Sequence, residues 1–218
     1  MSWAAEPAGP ADRTRLDAAI RAAVDRACAG DPRDPAASRA HTPVVLIDGP
    51  SGAGKSSLAD DLLRDWPAAG VPRLVRMDDL YPGWDGLDAG SVALGRDLLV
   101  PLRHAGSGRW QRWDWALDRP AGWTEVHGTE PLIVEGCGTL ARANVAAADL
   151  ALWLDADDTL RKRRALDRDG ETFAEHWDRW QAEFEAYLVR ERPRAAAVLR
   201  LDVTDWPLGG ERLRVGED

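Results

Sequence analysis

Short apolar runs alternate with stretches of helical spacing along most of this chain. Val44-Val45-Leu46-Ile47 is rich in β-branched residues, the pattern of a strand buried on both faces. Leu74-Val75-Arg76-Met77, Pro131-Leu132-Ile133-Val134 and Leu150-Ala151-Leu152-Trp153-Leu154 read the same way, and 198–203 as a last strand. Between them lie expected helices at 56–66, with Leu58, Leu62 and Leu63 on one face, at 91–102 and at 158–167. Thr172 opens a longer helix through a capping box to Glu175, with a stripe of Phe173, Trp177, Trp180, Phe184, Tyr187 and Leu188. Strands alternating with helices predict an α/β fold, a parallel sheet with helices on both faces.

The flanks read differently. In 12–28, Leu16, Ile20, Val24 and Ala27 fall at helical spacing and Asp12 suits the cap, which predicts an amphipathic helix docked on the core. Residues 1–10 are expected to be loose, and 30–43, rich in Pro and polar residues, to be a linker. The expected organisation is an N-terminal helical extension over 1–42 and a main domain over 43–218. Residues 82–90 read as a loop; the Trp- and Arg-rich stretch 106–123 reads as a hairpin or lid.

Charge narrows the partners. A net charge of −9 repels phosphate backbones and anionic lipid, which argues against nucleic acid and membrane surfaces. No run approaches a membrane span and no leader-like segment is evident, so the expected compartment is the cytoplasm. Cys28 and Cys137 show no metal-ligand spacing and read as reduced thiols. The expected partner is a small molecule; self-association is left open.

The chemistry-bearing segment is Gly49-Pro-Ser-Gly-Ala-Gly-Lys-Ser, which fits G-x-x-x-x-G-K-[ST] between a strand and a helix. Gly49, Gly52 and Gly54 let the backbone curl so that N–H groups face phosphate oxygens, with Ser51, Ala53 and Ser57 completing the cradle. The helix N-terminus adds positive partial charge. Lys55 is expected on the β- and γ-phosphates of ATP, and Ser56 on Mg²⁺. The chain has 26 arginines and only two lysines, and one of those two stands at the required place.

Ligands of open parallel sheets bind at the carboxyl ends of strands, and three strands here end in acids. Glu135, followed by Gly136, is expected to hold Mg²⁺. Asp78 is expected to end the strand beside that of the phosphate loop, where it orients and deprotonates an acceptor hydroxyl or joins the metal. Asp79 is the alternative base. In TLRKRRALDRDG, Arg161, Arg164 and Arg168 share a helical face and are expected to close over the phosphates as a lid near 159–170, with Arg164 stabilising the transferring group. Trp113 is a candidate to stack on the acceptor and Asp114 to accept from its hydroxyls.

The order of these features resembles the uridine kinase and phosphoribulokinase family of P-loop kinases. Four segments carry it: Gly49 to Ser57; Asp78-Asp79-Leu80-Tyr81, similar to D-x-F-Y; Ile133-Val134-Glu135-Gly136; and Leu152 to Asp155 with the arginines through Asp169. The resemblance implies a Mg-ATP kinase with Asp78 and Tyr81 near the acceptor. Trp113-Asp114-Trp115 resembles the family's Y-D-F segment, but Asp118 stands where a histidine is expected. A nucleoside is the leading acceptor. A sugar, a vitamin precursor or an antibiotic, or a nucleotide-dependent switch without an acceptor, are the alternatives.

Overall fold

The computed structural model describes residues 10–29, 41–128 and 130–205. The expected loose segment 1–10 (apart from the helix start at Pro10) and the expected linker (apart from 41–43) lie outside these residues, as does 206–218. The chain runs α1 (Pro10–Ala29), β1 (Val44–Asp48), α2 (Lys55–Arg64), β2 (Arg73–Arg76), a 3₁₀ turn (Met77–Asp79), α3 (Leu87–Ala93), a π-helical stretch (Leu94–Leu99) and α4 (Val100–Ala105). Then follow β3 (Ser107–Asp114), β4 (Arg119–His127), β5 (Leu132–Glu135), α5 (Arg142–Val145), β6 (Leu150–Asp155), α6 (Asp158–Glu191), α7 (Pro193–Ala196) and β7 (Leu199–Asp202).

Five strands form one parallel sheet in the order β2-β5-β1-β6-β7. Alternation along each strand divides the core in two. Val44 and Leu46 point with Val75, Val134 and Trp153 to the side covered by α3, α4 and α6. Val45 and Ile47 point with Ile133, Leu152 and Leu154 to the side covered by α1 and α2. The apolar stripe of α1, Leu16, Ile20, Ala23, Val24 and Ala27, is buried there, so this helix shares the core of the sheet. No described helix is long and apolar enough to cross a membrane.

Four details differ from the sequence reading. β2 lies beside β5 and not beside β1, so Asp78 is one strand further from the glycine loop than expected. The chain leaves the strand at Arg76, and Asp78 and Asp79 stand in a 3₁₀ turn, so strand alternation does not separate their side chains. The helix expected from 91 starts at Leu87 and continues through the π stretch to Ala105.

The two helices expected at 158–167 and from 172 are one element broken at Gly170 (φ 68°, ψ −156°). A Cβ at Gly170 would meet nothing within 4 Å, so the glycine is required by backbone conformation and not by crowding. The expected stripe of the second half is buried from Phe173 through Tyr187.

Candidate active site

β1 delivers its last residue, Asp48, into full burial, and the chain then curls from Gly49 into α2, whose N-cap is Gly54 (φ 80°). At Gly52 (φ 77°) a Cβ would sit 1.9 Å from the Arg161 carbonyl oxygen, so the loop packs against the first turn of α6 as only glycine permits. Ala53 is buried and its N–H donates to Pro50 O (3.2 Å). Lys55 is buried; its Nζ donates to Gly49 O (2.8 Å) and Pro50 O (2.9 Å) and lies 3.6 Å from Cys137 Sγ. Lys55 thus folds back over its own loop. The N-terminal turn of α2 has no side-chain cap, which leaves its N–H groups facing the loop's concavity.

Ser56 Oγ donates to Glu135 Oε1 (3.0 Å), and Arg76 Nη1 donates to the same oxygen (3.1 Å) while its Nη2 reaches Asp60 (2.6 Å). Register explains the meeting: Glu135 pairs with Ile47 on one side and Arg76 on the other. Burial raises the Glu135 carboxyl above its usual range against the pull of Lys55, and the nearby charge of Asp78 raises it further. Asp48 was not foreseen as part of the site. It accepts from Gly49 N (2.7 Å), Gly138 N (3.2 Å), Leu140 N (2.9 Å) and the Tyr187 hydroxyl (2.6 Å). Burial raises its carboxyl, and these donors work against that. Burial likewise pushes the Cys137 thiol up, so it stays protonated and donates to Gly49 O (3.3 Å).

The residues expected on an acceptor lie on the 3₁₀ turn and the β3–β4 hairpin, close to α6. The 106–123 stretch is the expected hairpin. Asp78 is exposed, and its charge acts on Glu135, Tyr81 and Arg168. Asp79 is half-buried, and burial raises its carboxyl while Asp78 adds to the rise and Arg112 and Arg76 oppose it. The two aspartates therefore face different surroundings. The Trp115 indole N–H donates to Asp78 O (2.8 Å), which ties the hairpin tip to the turn. Trp84 lies over His176 (4.5 Å) and Phe173 (5.5 Å) and against Trp115 (5.0 Å).

Several expected roles are reassigned by these contacts. Tyr81 is buried and its hydroxyl donates to Cys137 O (2.7 Å), so it props the floor of the site instead of facing an acceptor. Asp114 Oδ1 accepts from Ala116 N and Leu117 N (both 3.1 Å), capping the hairpin turn. Trp113 and Trp110 each bury an indole N–H that has no hydrogen-bond partner among the described residues.

The three arginines do not act alike. Arg161 is buried, pairs with Asp158 (2.6 Å) and Gln181 (3.3 Å) and lies over Trp177 (5.9 Å). Arg168 is exposed, bonded to Asp169 through both nitrogens (2.7 and 2.6 Å), and feels Asp78 and Glu135. Arg164 holds a buried Nη1 without a hydrogen-bond partner among the described residues. Beyond Asp48, the sequence reading missed Arg76, Cys137, Trp180 and Tyr187. Only Asp48, next to Gly49, carried a local signal.

No family model matches the sequence, and no curated protein matches it. Solved structures do. A structure described as a possible uridine kinase from Bacillus stearothermophilus aligns at 20% identity over 83% of this chain and 98% of its own, with a TM-score of 0.53. A D-glycerate 3-kinase from Cryptococcus neoformans var. grubii aligns at 12% identity over 82% of this chain and 88% of its own, also at 0.53. At such identities the likeness is one of fold. With a parallel five-stranded sheet and the glycine loop between β1 and α2, the chain has the P-loop kinase-like fold.

Proposed function

We propose that this protein transfers the γ-phosphate of ATP to a hydroxyl of a small molecule, with Mg²⁺. The observation that carries the reading is the convergence of three parts. Lys55 and Ser56 stand on the glycine loop, Ser56 bonds Glu135, and the charges of Asp78 and Arg168 reach the same carboxylate. Solved neighbours bearing kinase descriptions support it.

The donors fit the ion: Ser56 Oγ and Glu135 Oε1 are hard oxygens already 3.0 Å apart. When bound, Mg²⁺ neutralises charge on the phosphate oxygens. The loop N–H groups and the α2 N-terminus bind the phosphates, and Lys55 turns from its loop carbonyls to the β- and γ-oxygens. Arg164 and Arg168 meet the charge on the transferring group. Arg161 positions the lid through Asp158 and Trp177 and so does not serve the nucleotide directly. Asp78 accepts the hydroxyl proton as the acceptor oxygen bonds to phosphorus and the β–γ bridge bond breaks, releasing ADP.

One observation favours an acceptor other than a pyrimidine nucleoside. Asp114 Oδ1 is engaged in capping the hairpin turn, and Asp118 stands in that turn where the family resemblance calls for a histidine. The test is ADP release with Mg-ATP across nucleosides, sugars, vitamin precursors and antibiotics, with mass spectrometry of the product. One acceptor should gain a phosphoryl group. Tight nucleotide binding without any phosphorylated product turns the reading to a nucleotide-dependent switch.

A further inference from the structure

The phosphate loop is held from a distant part of the chain. The Trp180 indole N–H donates to Ser51 Oγ (3.0 Å) across 129 residues of sequence. Ser51 is the third residue of the glycine loop. Trp180 lies in the half of α6 beyond the Gly170 break. Its ring is buried and meets Tyr81 edge-on at 4.9 Å, so the indole has little freedom to follow a moving loop. Tyr187, two turns further on, donates to Asp48 Oδ2 (2.6 Å), and Asp48 in turn accepts from Gly49 N. Burial and the neighbouring Asp48 push the Tyr187 phenol far up, so it stays a donor. The middle of the loop is thus hydrogen-bonded to α6 directly, and its beginning is linked to the same helix through Asp48.

We propose that Trp180 is a positioning residue for the nucleotide: its N–H fixes Ser51 and thereby pre-aims the phosphate loop. The proposal rests on the nucleotide-binding reading above and goes beyond it. A glycine-rich loop has many accessible backbone states, and a ligand that must first order it binds more weakly. The Trp180 bond removes part of that ordering before the ligand arrives. The glycine-loop motif does not specify this partner, since any residue type serves the motif at the distance of α6.

The test compares ATP binding by calorimetry, in Mg²⁺, for the full chain and two substitutions. Trp180→Phe keeps an aromatic ring against Tyr81 and removes the donor. Ser51→Ala removes the acceptor, together with the longer contact of Ser51 Oγ to Cys137 Sγ (3.7 Å). Trp180→Phe should weaken ATP binding about three- to tenfold, the worth of one neutral hydrogen bond. In steady state this appears in KM for ATP with kcat little changed. In the Ser51→Ala background, Trp180→Phe should add no further loss, since the bond is already gone. A Trp180→Phe protein that melts earlier but binds ATP as the wild type does overturns the inference and leaves the kinase reading standing. Additive losses in the double variant overturn it as well. Wild-type protein that binds no nucleoside triphosphate overturns both.

Discussion

The phosphate loop and the β3–β4 hairpin flank one candidate site and are built on opposite terms. In the loop, the polar side chains have partners from the chain: Lys55 donates to Gly49 and Pro50, Ser56 donates to Glu135, and Ser51 accepts from Trp180. In the hairpin, Trp110 and Trp113 bury indole N–H groups without partners among the described residues, and Trp115, Leu117 and Trp123 are exposed. The tip is held to the rest through one Trp115 hydrogen bond and the rings around Trp84. Under the proposed function, a nucleotide would meet a loop already tied to the rest of the chain, whereas the hairpin is joined to the core by fewer hydrogen bonds.

The sharpest test of this contrast is Asp78→Asn. It keeps shape and removes the proton acceptor, so ATP affinity should hold while transfer falls roughly 10²–10⁴-fold. Asp79→Asn should cost far less, because Asp79 faces Arg112 and Arg76 while Asp78 acts on Glu135 and Arg168. Equal losses in the two variants would mean that the turn does not distinguish them.

Lys55→Ala comes next, with kcat lower by roughly 10²–10³. It should also lower stability by about 1–3 kcal/mol, since its amine satisfies two loop carbonyls. Denaturant unfolding separates the two effects, and unchanged turnover would remove the phosphate role.

On the acceptor side, Trp115→Phe frees the Asp78 carbonyl from the hairpin. The KM for the acceptor should rise several-fold, about one hydrogen bond's worth, with ATP binding unaffected. If ATP affinity drops instead, the two sides are not separable.

The smallest effect is expected from Arg76→Gln. Burial raises Glu135, and Arg76 opposes the rise. Without it, the acid limb of kcat/KM should move to higher pH. The sign for stability follows. A carboxyl whose folded value is raised stabilises below the usual glutamate range. That contribution is lost as pH rises through the raised value. Glu135→Gln should flatten this slope in a melting series against pH, and an unchanged slope would assign it to Asp48, which burial also raises.

Much of the architecture was legible because its signals are local. Period-two alternation separates Val44 and Leu46 from Val45 and Ile47, and the α6 stripe falls at helical spacing. The glycine loop is contiguous, so its residues meet wherever the strand and helix around it form. Segments far apart were harder. Asp114 and Tyr81 occupy motif-like positions, but the first caps a turn and the second props Cys137, which no spacing reveals.

What the sequence by itself determined is the five strands of the sheet, the glycine loop between the first strand and a helix, and the acidic strand end at Glu135. Only the tertiary structure decided that β5 lies between β1 and β2, which puts Glu135 against Ser56 and Arg76 and moves Asp78 one strand outward. It also decided that Arg161 is a buried support while Arg164 is left without a partner among the described residues, and that Trp180 and Tyr187 grip the loop. The physical reason is that periodicity and turn chemistry act over a few residues. Strand order and cross-chain hydrogen bonds, by contrast, depend on which faces the whole core brings together.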